Sequence, residues 1–436
     1  MVNKKSILSK LDKEVVWHPY TPWNSSEECF PITEAKGAYL YDENKNAYLD
    51  AISSWWVTIH GHSHPYIAKR VYEQFLKLDH VIFAGFTHAP AVELAQRLIS
   101  KLPPGQEKVF FSDNGSTAVE VAMKIAVQFR KNKSEKKHLF VAFENAYHGD
   151  TFGAMSVSAG SLFTEAFSNM LFEVRRIPLP IEGQEQQSLD ELRKLIQNQN
   201  ITAFIFEPLV LGAGGMLMYS ASVLDKMIDL CHEHNVLCIA DEVMTGFGRT
   251  GSFFASDKLL HSPDIFCLSK GITGGVMPLG VTAVSREVFA AFKSEQISHT
   301  LWHGHSFTAN PLACAAACAS LDLFENDDVM GKVEKISQVF VQRSSVLKSQ
   351  YIKNVRTTGC IAAIELQTSG STSYANSIKK PVANYFFERG VIVRPLGNVV
   401  YFLPPFCITI EECHKLFDIL EQMLADNEFI EKHLNV

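Results

Sequence analysis

Five short apolar runs constrain this chain more than anything else in it. They are residues 109–111, 139–143, 203–206, 236–240 and 265–268, and stretches with helical periodicity lie between several of them. A buried strand reads this way: a short apolar run bounded by turn signals. Residues 89–99 and 118–129 carry the three-to-four spacing of amphipathic helices. The alternation predicts an α/β domain around a mainly parallel sheet.

A chain of 436 residues is long enough for two lobes with a large shared core. Asn310-Pro311 predicts a capped helix with proline in its first turn, running to about Phe324. From about residue 327 short strands and helices mix, as in a smaller α+β lobe. Residues 37–42 and 47–50 predict two more strands around the polar turn Glu43-Asn44-Lys45-Asn46, and Trp17-His18-Pro19-Tyr20-Thr21-Pro22 an extended segment.

With 40 Lys+Arg against 47 Asp+Glu and a net charge of −7, the chain lacks the basic footprint of a nucleic-acid binder. Asn3-Lys4-Lys5 is followed by only Ile7-Leu8, too little for a signal-peptide core, and no later run is long enough to span a membrane. The nine cysteines include no Cys-x-x-Cys pair, which points to a reducing cytoplasm. Cys314 and Cys318 read as small packing residues on one helix face. His60, His62 and His64 alternate without a carboxylate or cysteine cluster at ligand spacing, so no metal site is expected.

The polar residues directly after the apolar runs carry the chemistry. Run 265–268 ends at Ser269-Lys270-Gly271, followed by Gly274, Gly275, Pro278 and Gly280. A lysine there, with its pKa lowered by its surroundings, can form a Schiff base with an aldehyde cofactor; in isolation Ser-Lys-Gly reads as a solvated lysine after a strand, and only the company of the other residues changes that. Asp241 follows run 236–240, where a carboxylate is costly without a partner. A protonated ring nitrogen is one such partner, and a helix N–H or a buried ion pair is another. Ser112-Asp113-Asn114-Gly115-Ser116-Thr117 leads into a helix whose free N–H groups and dipole suit a phosphate, with Ser116 and Thr117 as added donors, or else is ordinary N-capping. Tyr147, in Asn145-Ala146-Tyr147-His148-Gly149-Asp150 after run 139–143, is placed to stack on a ligand ring or to sit in a surface turn.

Taken together, Asn114-Gly115-Ser116, Tyr147-His148-Gly149, Asp241-Glu242-Val243, Gly246-Phe247-Gly248-Arg249-Thr250-Gly251 and Ser269-Lys270-Gly271 resemble the class III (ω-amino group) aminotransferases. The resemblance covers nearly the whole chain. It implies a pyridoxal-phosphate enzyme of fold type I, with a mainly parallel seven-stranded sheet in a large domain, residues 61–326. A smaller α+β domain would come from both chain ends, residues 1–60 and 327–436. It also implies that Lys270 carries pyridoxal 5'-phosphate and moves the proton, and that Asp241 pairs with the ring nitrogen. Val243 and Tyr147 would flank the ring, and Gly115 and Ser116 would bind phosphate. A homodimer with shared active sites is implied too. In it Ser306, where the family usually has threonine, would reach the phosphate of the neighbouring subunit beside Gly304.

Further segments, Trp17-His18-Pro19-Tyr20-Thr21, Ser53-Ser54-Trp55-Trp56, Thr87-His88-Ala89-Pro90 and Val393-Arg394-Pro395-Leu396-Gly397, resemble the branch of that family serving biotin biosynthesis. That branch aminates 8-amino-7-oxononanoate to 7,8-diaminononanoate, with S-adenosylmethionine as donor. The acceptor needs an apolar channel and one cation. Arg394 is the matching cation, with Tyr20, Trp55, Trp56 and Tyr147 as walls, and Tyr20 is also counted as catalytic. The donor's sulfonium suits aromatic faces and Asp150. Arg249 would reach a substrate carboxylate or else form an ion pair between loop and core. A diamine, ornithine or 4-aminobutyrate transaminase, or lysine as donor, stays open.

Overall fold

The structure, a computed structural model, describes residues 6–23, 29–198, 200–370 and 372–434; Asn3-Lys4-Lys5 lies outside them. Seven strands form the large sheet: β1 (Gln106–Ser112), β2 (Leu139–Phe143), β3 (Val174–Ile177), β4 (Ile201–Phe206), β5 (Leu237–Asp241), β6 (Ile265–Leu268) and β7 (Gly280–Ser285). Their order is β1-β7-β6-β5-β4-β2-β3. β7 runs antiparallel to both neighbours, and the other pairs are parallel. All five apolar runs are strands. β3 and β7 were not among those expected, because β3 carries Arg175 and Arg176 between its two apolar ends and β7 begins directly out of the glycine loop.

The strands are apolar throughout because both faces are covered. Ala203, Ile205, Ile239, Ile265 and Cys267 face the helix Gly115–Asn132, which buries Ala118, Val121, Ala122, Ile125 and Phe129 against them. Phe204, Phe206, Cys238, Ala240, Phe266 and Leu268 join the main core on the other face. Each large apolar side chain so buried contributes roughly 1.5–3 kcal/mol. The helix Pro311–Asn326 adds Ala313, Cys314, Ala317 and Cys318 to that core, and the Asn310 side chain caps it by accepting from Leu312 and Ala313 N–H. The two cysteines are packing residues there.

Both ends of the chain meet in one of the smaller sheets. Ala47–Asp50 pairs antiparallel with Tyr39–Asp42 and parallel with Val391–Ile392, with Ile392 opposite Asp50. A second sheet joins Ile352–Thr358, Ile361–Leu366 and Val399–Phe402. The first pairing has a consequence for the site. The chain leaves these neighbouring parallel strands toward Trp55 on one side and Arg394 on the other, so the two residues emerge together. No described helix is long and apolar enough to cross a membrane.

Candidate active site

Parallel strands put their C-terminal ends on one edge, and that edge is where the polar residues gather. Asp241 is opposite Cys267 in the sheet, two residues before Ser269, and Ala240 is opposite Phe206, directly before Glu207. Asp241, Glu207 and Lys270 therefore share one end of the sheet. They line a cavity of about 630 Å³ with Tyr20, Trp55, Trp56, Tyr147, Asp150, Arg394 and others.

Lys270 adopts φ 47°, which a non-glycine residue takes only when the surroundings hold it there. Its ammonium nitrogen lies 4.5 Å from the centre of the Trp56 ring. Burial pulls its pKa down to about 8, against the pull of Asp241 and Glu207 in the other direction, while Arg249 adds to the lowering. The amine is thus far more available as a nucleophile than an exposed lysine.

Asp241 is buried with both oxygens engaged: Oδ2 lies 2.7 Å from Nδ1 of His148, and Oδ1 accepts the Val243 N–H at 3.1 Å. Glu207, also buried, accepts the N–H of Tyr147 at 3.1 Å and of Gly212 at 2.8 Å, which fixes the turn that carries Tyr147. Burial pushes the Glu207 carboxyl up to about 7.

At the start of Gly115–Asn132 the Asn114 side chain accepts the Thr117 N–H, and the Thr117 hydroxyl returns to the N–H groups of Asp113 and Asn114. Thr117 is thereby consumed by the capping box, and Ser116 alone remains as a hydroxyl at the cup. A Cβ on Gly115 would come within 2.7 Å of Val243, so only glycine lets the cup close on that side chain. Half-buried amine, buried acid, helix N-terminus and this cradle together fit pyridoxal phosphate.

The outer wall is aromatic. Tyr20 meets Trp55 at 5.4 Å and Phe163 at 5.3 Å, and Phe163 meets Tyr374 at 4.9 Å, all edge to face. The Tyr20 hydroxyl bonds Asp150, and desolvation, helped by that carboxylate, pushes its pKa up to about 12. The Tyr147 hydroxyl is also raised, again chiefly by burial. The Arg394 guanidinium lies 4.6 Å over the Trp55 ring.

Ser53, Ser54, Trp55 and Trp56 all have positive φ, between 45° and 74°. A left-handed turn of L-residues costs roughly 1–2 kcal/mol per residue. It is held by Ser53 Oγ donating to Leu403 O at 2.7 Å and Ser54 Oγ to Asp50 Oδ2 at 2.8 Å. His62 takes the same Asp50 oxygen at 2.8 Å, while His60 turns to Ser320, so these histidines do not converge.

Three expected residues are not part of this wall. Arg249 is buried, and its guanidinium donates to the carbonyls of Pro404, Trp56 and Thr58 at 2.9–3.1 Å. Among the described residues it meets neither a cavity carboxylate nor an ion-pair partner. Burial draws its pKa down to about 9, and what it fixes is the backbone that carries Trp56. Gly304 and Ser306 are exposed, in a loop tied down by His305 to Asp113 at 3.2 Å and by Lys124 to His303 at 2.9 Å.

The sequence reading passed over Glu207, His148, Phe163 and Tyr374. Glu207 follows an apolar strand just as Asp241 does, so the same rule would have found it. His148 lay inside a recognised motif. Phe163 and Tyr374 come from loops with no local signal.

The chain belongs to the class III aminotransferases: that family's model matches residues 20–424. Among curated relatives, the adenosylmethionine-8-amino-7-oxononanoate aminotransferase of Synechococcus elongatus is 41% identical over 94% of this chain and 98% of its own. That of Geobacter sulfurreducens is 40% identical over 95% and 96%. The crystal structure of the enzyme of that name from Methanocaldococcus jannaschii superposes with a TM-score of 0.90 at 35% identity, covering 96% of this chain and 98% of that one. An omega transaminase from Pseudomonas jessenii in complex with PMP gives 0.91 at 26%, covering 98% and 99%.

Proposed function

We propose that this chain, with pyridoxal 5'-phosphate, transfers the amino group of S-adenosylmethionine to 8-amino-7-oxononanoate, giving 7,8-diaminononanoate in biotin biosynthesis. The observation that carries the reading is Arg394 against Trp55 in the same cavity as Lys270: one cation in an aromatic wall, as a long-chain oxo acid requires. The names of the relatives agree with it.

Lys270 would hold the cofactor's aldehyde carbon, Asp241 its ring nitrogen, Val243 and Tyr147 its faces, and Gly115 and Ser116 its phosphate. Bound there, pyridoxal phosphate supplies a carrier for the amino group and a ring that accepts an electron pair. The chain's own residues do the rest. His148 holds the Asp241 carboxylate in place through the 2.7 Å contact of its Nδ1. Lys270, with its pKa near 8, takes the proton from the donor's α-carbon and returns it on the acceptor side. Tyr20 and Asp150 form one polar patch at the mouth, where Asp150 suits the donor's positive sulfur. The aromatic wall excludes water from the amine.

We place the small domain at residues 1–60 and 327–436 and the large one at 61–326. The active unit is a cytoplasmic homodimer in which Gly304 and Ser306 complete the neighbouring subunit's site. Their exposure and their absence from the chain's own cavity support this. The test is a steady-state assay of purified protein with the oxo acid and S-adenosylmethionine or lysine as donor. Ping-pong kinetics with S-adenosylmethionine are expected; turnover with lysine alone would change the donor, and no amination of the oxo acid would sink the reading.

A further inference from the structure

Arg394 is half-buried, and among the described residues it has no carboxylate within ion-pair distance. A guanidinium in that position retains a strong demand for an anion. Its guanidinium donates to the hydroxyl of Tyr374, at 3.2 Å. Guanidinium groups only donate. The Tyr374 oxygen is therefore the acceptor, and its own proton is left to be given elsewhere. Tyr374 lines the cavity.

Its ring is fixed from two sides. Phe163 packs edge to face against it, and the Lys379 ammonium lies 4.3 Å from its centre while also donating to the Tyr374 carbonyl at 3.3 Å. The backbone beside it is set by Gly397, at φ +62°. A Cβ there would fall 1.8 Å from the Ser373 carbonyl oxygen, so only glycine lets the Tyr374 segment come this close to the Arg394 strand exit.

We propose that Tyr374 is a specificity-determining residue, whose phenolic O–H grips the terminal carboxylate of the acceptor together with the Arg394 N–H groups. The bond it receives from Arg394 polarises the phenol and makes it a better donor. Charge-assisted bonds of both donors favour a carboxylate over a neutral carbonyl end. This rests on the proposed reading of the acceptor as a long-chain oxo acid.

The test compares wild type with Tyr374→Phe, using 8-amino-7-oxononanoate and its methyl ester as acceptors of the holoenzyme. Phenylalanine keeps the ring and its packing and removes only the hydroxyl. The KM for the acid should rise with little change in kcat, and the preference for acid over ester should shrink by about five- to tenfold. An unchanged preference overturns the proposal. So does an equal loss on both acceptors, which would make Tyr374 structural. If wild type aminates neither acceptor, the functional reading falls and takes this inference with it.

Discussion

The imidazole Nδ1 of His148 lies 2.7 Å from the carboxylate of Asp241, and both side chains are closed to solvent. A buried carboxylate needs such a partner, and a charge-assisted bond of this kind is worth roughly 1.5–3 kcal/mol. His148→Ala should therefore destabilise the cofactor-free protein by about that amount. With pyridoxal phosphate bound, the loss should be smaller, because the ring nitrogen offers Asp241 a further charged partner. Thermal unfolding with and without cofactor reads the difference. Equal losses in both states would disconnect Asp241 from the cofactor.

Lys270 should leave a signature in the pH dependence of stability. Its folded pKa of about 8 lies below its ordinary value of 10.5, so between those values the unfolded chain binds more protons. Stability of the cofactor-free protein should rise with pH across that window, and this contribution should be flat below pH 8. Urea unfolding of wild type and Lys270→Met isolates it: the gap between them should change in favour of wild type as pH rises. A constant gap would mean the amine is not depressed. In the loaded protein, borohydride should fix a pyridoxyl group on Lys270 and on no other lysine.

Arg394→Ala removes the cation of the aromatic wall. The loss of roughly 1.5–3 kcal/mol corresponds to about ten- to a hundredfold in kcat/KM for the oxo acid. The methyl ester should suffer much less from the same change. Equal use of acid and ester by wild type would free Arg394 from any carboxylate role.

The exposed loop with Gly304 and Ser306 invites a complementation experiment. Lys270→Ala chains should be inactive, and chains altered at both Gly304 and Ser306 should lose phosphate affinity in the neighbouring site. Mixed dimers would contain one intact site, so activity should partly return on mixing. Absence of recovery, with subunit exchange shown separately, argues that the sites are not shared.

Local signals reached much of the site. Asp241 stands directly after one apolar run, Lys270 two residues after a second and Tyr147 four after a third, so a pattern of a few residues located each of them. Glu207 obeys the same rule, directly after the apolar strand Ile201–Phe206. Arg249 shows the opposite case. Its glycine-rich motif was plain, but whether a guanidinium turns toward a cavity or toward three carbonyls is a question of packing.

The sequence by itself determined the α/β class, the strands that end in chemistry and the family motifs, because strand burial and helix capping are written in neighbouring residues. A parallel arrangement then brings those strand ends to one edge without further information. Only the tertiary structure decided which distant groups meet there. The antiparallel β7, the left-handed turn of Ser53 to Trp56, the His148–Asp241 pair and the Tyr374–Arg394 pair all depend on contacts between segments far apart in the chain. Such contacts are fixed by how the lobes pack, and no short stretch of sequence carries them.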